Sequence, residues 1–272
     1  MWQNEIVGKV FNLFTVVDDV SVDVSDKEWN IDSLQSRVAL GDHLSEDLKN
    51  KIHNLLHKNS IVLSHGDSDV GTAKVSPHHI ELFDHAPIWQ KARRFADPGN
   101  QEIGHQCLEL LSLNILEHSD SQWSSPVVPV WKPDGMLRLC IDYSKVNAVT
   151  RTEKFPMPNL KNCIYRGSKV KYITSCTLFE DTIVPLDDKS RQYTAFSTVS
   201  DHYQFKRLRF GLRNSGIAFQ KTMLQILSPL SCSNIIIYID DILIMNESFE
   251  EQAVLVNKVL STLGNSGIKS KV

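Results

Sequence analysis

The sequence has few of the features that mark membrane, secreted or metal-binding proteins. It contains no CxxC pair and no HExxH motif, and its 5 cysteines are dispersed through 272 residues. An odd, dispersed set of thiols is typical of reduced proteins and does not indicate a disulfide framework. The longest strongly apolar stretch, residues 235–239, is far shorter than the roughly 20 residues of a bilayer-spanning helix. Because the first residues also lack a signal-peptide pattern, we expect an intracellular protein, cytoplasmic or nuclear and not secreted, without membrane contact.

Glycine and proline are also scarce. The chain has 12 Gly and 10 Pro, with 42% hydrophobic and 22% charged residues, which is the composition of an ordinary globular protein. Its length allows one large domain or two modest ones with a buried core.

The overall net charge of −3 conceals an asymmetry along the chain. Residues 126–221 hold 16 basic and 8 acidic residues, a balance of +8, while the remainder holds 13 basic and 24 acidic residues, a balance of −11. A basic middle between acidic flanks is the pattern expected of a phosphate-binding surface. A charge cluster by itself more often forms a solvated face.

Hydrophobic periodicity predicts a mixture of helices and strand pairs, which is typical of an α+β fold. The predicted helices lie near residues 45–58 with Ser45 as N-cap, at 105–117, at 217–227, and from a Ser248 capping box to about residue 263. The predicted strand pairs are 127–131 with 136–143, 193–199 with 203–208, and 235–239 with 242–245. Three segments are expected: 1–64 with one helix and no assignable role, 65–122 as a connecting arm and helix, and 123–272 as the main body.

The last strand pair carries an unusual turn. Apolar strand residues lead directly into Asp240 and Asp241, whose like charges repel and require a cation or solvent nearby. An isolated Asp-Asp turn is most often a solvated hairpin tip. Other motifs in a fixed order favour a functional interpretation here: Trp131-Lys-Pro-Asp-Gly135, Arg138-Leu-Cys-Ile-Asp-Tyr-Ser-Lys-Val-Asn147, Pro185-Leu-Asp-Asp-Lys-Ser-Arg-Gln-Tyr-Thr-Ala-Phe196, Phe210-Gly-Leu-Arg-Asn-Ser215 with Phe219-Gln220, and Tyr238-Ile-Asp-Asp241.

With these motifs the chain resembles, from about residue 60 to 272, the reverse transcriptases of gypsy-class LTR retrotransposons. The resemblance implies the fingers and palm of a right-handed polymerase, with an antiparallel sheet and packed helices. Since relatives continue into a thumb, we expect a part of a Pol polyprotein that lacks the thumb and is truncated at its C-terminus. Template-primer of RNA or DNA and deoxynucleotide triphosphates are the implied partners, and Mg²⁺ or Mn²⁺ is the implied cofactor. The oligomeric state is not indicated.

The resemblance also implies roles for individual residues. Lys132 and Arg138 would grip the incoming triphosphate, a task suited to a point charge and a guanidinium fork. Phe210 and Gly211 would lie against the nucleotide, where glycine permits close approach of the backbone. Gln220 would lie along the template.

The metal site departs from the family pattern. Asp240 and Asp241 are the implied catalytic metal ligands, but the first aspartate of the palm is replaced by Cys176, nine residues before Pro185. Sulfur is a poor ligand for Mg²⁺, so the two-metal site is expected to be incomplete and catalysis to be defective. A looped alignment that brings Glu180 or Asp181 to this place is a minor alternative, and Asp181 itself occupies the place of an aromatic residue of the sugar pocket.

Three functions therefore remain open from the sequence. The chain is an active RNA-directed DNA polymerase, a module that binds nucleic acid without polymerising, or a decayed remnant of a mobile element without activity.

Overall fold

The structure is a computed structural model that describes residues 10–12, 34, 38–41, 44–65, 69, 71–131, 137–158, 165, 170–178, 184–230 and 233–270. Among these residues no helix combines the length and the apolar character needed to cross a bilayer. In chain order the helices and strands are β1 Val10–Asn12, α1 Glu46–Lys58, α2 Asp97–Ser112, β2 Leu116–His118, β3 Ser125–Trp131, β4 Leu137–Ile141, α3 Ser144–Val149, β5 Tyr172–Thr177, α4 Asp188–Arg191, β6 Phe196–Ser197, β7 His202–Phe205, α5 Ser215–Leu227, β8 Ile235–Tyr238, β9 Asp241–Asn246 and α6 Phe249–Asn265.

The chain divides into two compact units, each built from separate stretches. The first unit takes Met1–Lys74, Phe155–Glu180 and Phe219–Val272, and the second takes Val75–Lys154 and Asp181–Ala218. The sequence-based division near residues 64 and 122 stays a prediction.

The first unit is built on a mixed sheet with strand order β1-β5-β9-β8. β5 pairs with β9 and β9 with β8 in antiparallel fashion, whereas β1 pairs with β5 in parallel. One face of this sheet holds a buried cluster of Ile173, Ile236 and Met245. On the other face Gln252 of α6 donates hydrogen bonds to Thr174 Oγ1 at 2.6 Å and to the Ile244 carbonyl at 3.0 Å. Helix α6 therefore covers this second face of the sheet.

Both ends of α6 follow local capping rules. Ser248 Oγ accepts a hydrogen bond from the backbone N–H of Glu251, as the predicted capping box requires. At the other end Gly267 N–H donates to the Gly264 carbonyl and Ile268 N–H donates to the Leu263 carbonyl, both at 3.0 Å. These two bonds form a Schellman motif, with Gly267 in the left-handed conformation at φ +75°. The predicted helix is confirmed, and it extends two residues beyond the predicted end.

Helix α1 begins after Ser45, whose side chain accepts a hydrogen bond from the Leu48 N–H. The predicted helix at residues 45–58 and its N-cap are thereby confirmed. Glu46 and Asp47 lie in its first turn and Lys58 in its last, an arrangement that complements the helix dipole.

The second unit contains a five-stranded sheet of order β2-β7-β6-β3-β4. Phe196 of β6 and Phe205 of β7 are fully buried, and their rings stack with centroids 5.4 Å apart. The Tyr143 hydroxyl is also buried and donates to the Thr194 carbonyl at 3.0 Å. Helix α2 is joined to the sheet where Gln106 Oε1 accepts a hydrogen bond from the Leu139 N–H.

Two sequence-based boundaries in the second unit are wrong. The helix predicted at 105–117 begins earlier, at Asp97, and ends at Ser112; residues 116–118 form β2, which pairs with β7. The strands predicted at 193–199 and 203–208 shorten to β6 and β7, because residues 188–194 form short helical turns.

Candidate active site

The acidic hairpin lies at one end of the first sheet. Tyr238 of β8 opposes Asp241 of β9, so the two residues of the turn are Ile239 and Asp240. The sequence-based assignment of the turn to Asp240 and Asp241 is wrong by one residue. Ile239 has a φ of +52°, a left-handed conformation that β-branched residues rarely adopt. Strain of this kind costs about 1–3 kcal/mol and persists only where neighbouring groups hold the backbone in place.

The side chain of Gln220 on α5 holds this backbone. Gln220 is 0% exposed. Its Nε2 donates to the Ile237 carbonyl at 2.9 Å, and its Oε1 accepts from the Ile239 N–H at 2.7 Å. Both polar ends of the amide therefore bind the hairpin. The template contact implied for Gln220 by resemblance stays a prediction.

The two aspartates of the hairpin have different surroundings. Thr177 opposes Asp241 across β5 and β9, and its Oγ1 donates to Asp241 Oδ1 at 2.8 Å. The carbonyl of Asp240 accepts from the Leu178 N–H at 2.9 Å, while its carboxylate has no hydrogen-bond partner within the described part of the chain. Asp240 therefore presents the freer carboxylate, and Asp241 is oriented by Thr177, which the sequence did not single out.

Cys176 lies on the helix-covered face of the sheet. It opposes Ile242, and the side chains of both are buried, with exposures of 1% and 0%. Because side chains alternate along a strand, Thr177 and Asp241 belong to the opposite face. Cys176 Sγ lies 3.2 Å from Ser270 Oγ. Burial raises the pKa of the Cys176 thiol to about 11, so the group is neutral at physiological pH.

The residues with implied nucleotide roles belong to the second unit. Lys132 lies outside the described residues. Arg138 on β4 is exposed and opposes Val130. Phe210 is 49% exposed, and Gly211 follows it with a φ of +84°. Their contacts with a nucleotide stay predictions.

Asn147 fixes the loop that carries Phe210 and Gly211. Its Nδ2 donates to the Gly211 carbonyl at 2.6 Å, and its Oδ1 accepts from the Arg213 N–H at 2.8 Å. A Cβ at Gly211 would meet Tyr143 at an ordinary 3.6 Å, so the positive φ rather than the available space requires glycine. No role is predicted for Asn147 from sequence, because its partners lie more than 60 residues away.

A family model described as reverse transcriptase (RNA-dependent DNA polymerase) matches residues 130–272, which is more than half of the chain. The chain belongs to the reverse transcriptase family. The resemblance predicted from the motifs is confirmed.

Retroelement polyproteins are among the similar sequences. The retrovirus-related Pol polyprotein from transposon 297 of Drosophila melanogaster is 31% identical over 268 residues, which are 95% of this chain and 25% of the relative. The Pro-Pol polyprotein of simian foamy virus type 3 is 29% identical over 231 residues, or 82% of this chain and 20% of the relative. This reverse transcriptase chain thus spans about a quarter of the first relative's length.

Solved structures support the fold. A crystal structure of the prototype foamy virus protease-reverse transcriptase has a TM-score of 0.77 at 27% identity, covering 84% of this chain and 31% of that one. The foamy viral enzyme in complex with an RNA/DNA hybrid has the same TM-score at 24% identity, with the same coverage. The predicted α+β polymerase fold is confirmed by these likenesses, with parallel as well as antiparallel strand pairs in its sheets.

Within the described part of this reverse transcriptase chain, the side chains do not supply the ligands of a paired Mg²⁺ centre. Such a centre requires hard, anionic oxygen ligands shared by two ions. Asp240 and Asp241 supply carboxylates. Cys176 supplies no ligand beside them, because its neutral sulfur is buried on the opposite face of the sheet from Asp241. Within the described ranges, no group of three or more His, Cys, Asp or Glu side chains is arranged to hold a metal ion. Glu180 and Asp181, the alternative donors considered from sequence, lie outside those ranges.

Proposed function

We propose that this reverse transcriptase chain binds nucleic acid but is catalytically defective as an RNA-directed DNA polymerase. The observation that carries the proposal is the buried, neutral thiol of Cys176, the residue that the resemblance puts in place of the palm aspartate. Losing one bridging anion removes several kcal/mol of transition-state stabilisation, which lowers the rate by several powers of ten.

Exposed cations support the binding part of the proposal. The basic middle of the chain presents several side chains to solvent. Arg138, Lys154 and Lys189 make no ion pair within the described residues, so their charges are available for phosphates. A foamy viral protease-reverse transcriptase of similar fold has been solved with an RNA/DNA hybrid. By analogy we assign template-primer as the partner here.

A second candidate function is residual polymerase activity, and the order of the acidic hairpin favours it. Gln220 still holds the strained turn, and Thr177 still orients Asp241. Asp240 and Asp241 would then be the residues that hold a metal ion, with Lys132, Arg138, Phe210 and Gly211 binding the nucleotide.

Primer extension separates these two functions. On an RNA template with Mg²⁺ or Mn²⁺, we expect the chain and its Asp240→Asn variant to give the same background signal, because the metal centre is already incomplete. A parallel reaction with an active reverse transcriptase verifies that the template can be copied. Product that the chain makes and Asp240→Asn does not make would establish residual polymerase activity and contradict the proposal.

Binding of a primer-template should weaken steeply with salt. If three to five phosphates are neutralised, affinity falls about 20- to 500-fold between about 50 and 200 mM salt. The double variant Lys154→Gln with Lys189→Gln should reduce the slope of log affinity against log salt by about 1.5. The matched control is Lys58→Gln with Lys258→Gln, which removes the same charge from exposed sites outside the basic middle. Equal slopes for both double variants would exclude this binding surface, and no salt-dependent binding at all would favour the inactive remnant.

A further inference from the structure

The second unit contains a cavity of about 230 Å³ between the start of α2 and the β6–β7 hairpin. A water molecule occupies about 30 Å³ of liquid, so the space is large enough for a flat ring but small for a whole nucleotide. Phe95, Ile103 and Val127 form its apolar part, and Arg93 lies at its edge.

Gly104 opens this cavity on the side of the helix. It lies in the interior of α2, where glycine is less favourable than alanine. A Cβ at this position would have no neighbouring atom within 4 Å, so packing within the described protein does not require glycine here. Glycine in such a place permits another molecule to approach the backbone closely.

Hydrogen bonds within one turn hold the opposite wall of the cavity. Residues 198–201 connect β6 to β7, and Thr198 Oγ1 accepts hydrogen bonds from the backbone N–H groups of Ser200 and Asp201. Thr198 N–H also donates to the Asp201 carbonyl at 2.9 Å. The turn therefore keeps its shape through its own contacts.

The lining combines an aromatic ring with amide groups. Phe95 contributes an aromatic ring to the lining, and the exposed Gln101 has no hydrogen-bond partner for its amide within the described residues. Asn100 Nδ2 donates a hydrogen bond to the Phe95 carbonyl at 2.8 Å, and Asn100 Oδ1 remains available as an acceptor. An aromatic face with amide donors and acceptors suits the face and edge of a nucleobase.

The chain next to the cavity is basic. Lys91, Arg93 and Arg94 lie on one extended, exposed segment. Arg93 Nη2 is 3.3 Å from Asp142 Oδ2 in an exposed ion pair, a contact worth little that a phosphate can replace.

On the basis of the proposed nucleic-acid binding, we infer that this cavity takes one unpaired base of a single-stranded segment, with Arg93 on the adjoining phosphate. Duplex offers no base to the cavity, because its bases are stacked and paired. The cavity therefore gives the chain a preference for single strands.

Filling the cavity tests this inference. The probe is a single-stranded oligonucleotide of about 12 nucleotides, compared by fluorescence anisotropy with the same strand lacking its central bases. The wild-type chain should prefer the base-bearing strand by about tenfold, as expected for stacking of one base. Gly104→Leu should abolish this preference and leave affinity for the base-free strand unchanged. Gly216→Leu is the matched control, because a Cβ there also meets nothing within 4 Å and Gly216 lies outside the cavity.

A second variant and a measurement of helix content distinguish a loss of base binding from misfolding. Phe95→Leu removes the stacking ring but keeps apolar bulk, and it should also reduce the preference, while circular dichroism verifies that both variants keep their helix content. If both variants still prefer the base-bearing strand, the cavity does not take a base, although nucleic-acid binding stands. If the wild-type chain binds neither strand, the proposed function itself fails.

Discussion

Replacing Cys176 by aspartate should lower the free energy of unfolding by about 3 kcal/mol at pH 7, because a carboxylate is then buried opposite Ile242 beside the Ser270 hydroxyl, which already donates to the Thr177 carbonyl. Cys176→Asn is the matched control, since it has the same shape without the charge. Urea unfolding of both variants measures the difference. A variant as stable as the wild-type chain would show that position 176 is open to solvent.

The free energies of unfolding of Cys176→Asp and Cys176→Asn should depend differently on pH. Burial raises the pKa of a carboxyl group above its unfolded value of about 3.9. The folded state of Cys176→Asp therefore holds its proton more tightly than the unfolded state, and the charge penalty is absent below about pH 4. As the pH rises from that value through the pKa of the carboxyl group in the folded state, the loss of stability increases. Cys176→Asn should show none of this additional dependence.

Cys176→Asp should restore little polymerase activity, within about tenfold of the starting signal in primer extension. Two reasons combine. The new carboxylate would belong to the face that α6 covers, and Asp181 would still occupy the place of an aromatic residue in the sugar pocket. Adding Asp181→Phe removes only the second obstacle, so the double variant should also stay within about tenfold of the starting signal. Strong recovery from Cys176→Asp alone would show that this view of the sugar pocket is wrong.

Gly267→Ala should cost about 3 kcal/mol of stability and lower Tm by roughly 6–12 °C. Gly267 has a φ of +75°, and a Cβ there would overlap the Thr72 carbonyl oxygen, a backbone atom that cannot rotate away. The substitution therefore strains the Schellman motif and separates the segment at residues 71–74 from the end of α6, where Lys74 N–H donates to the Ser266 carbonyl.

Gly216→Ala is the control for this effect. Its Cβ meets no neighbour within 4 Å, and a helical alanine should raise stability by about 0.5 kcal/mol. Thermal unfolding followed by circular dichroism compares the two variants. If Gly267→Ala lowers the free energy of unfolding by less than about 1 kcal/mol, the segment at residues 71–74 can move aside with little loss of stability.

The sequence predicts well the features of this fold that depend on neighbouring residues. It predicts poorly the features that depend on residues far apart in the chain. Ser45 and Ser248 are correctly predicted as N-caps, because a cap depends only on residues within one helical turn. The start of α2 is missed because Ala96 offers no capping side chain, and Pro98 in the first turn is easily taken for a loop residue. Strand β2 is missed because its partner β7 lies far along the chain.

The candidate site shows the same limit. The motif Tyr238-Ile-Asp-Asp241 identifies the hairpin, but its turn is displaced by one residue because Gln220 holds Ile239 from 19 positions away. The contact between Thr177 and Asp241 depends on strand register, which the sequence alone does not give. Cys176, in contrast, is found by motif spacing, although its burial requires the structure.

Strands β5 and β9 are neighbours in the first sheet but are made at different times during synthesis, because part of the second unit lies between them in the sequence. Thr177 at the end of β5 and Asp241 at the start of β9 are 64 residues apart. At roughly 5–20 residues per second, a ribosome needs about 3 to 13 seconds to make that interval, during which β5 has an unpaired edge. The nascent chain therefore completes this sheet only after β9 has been made, and slower elongation should increase the fraction captured by ribosome-associated chaperones.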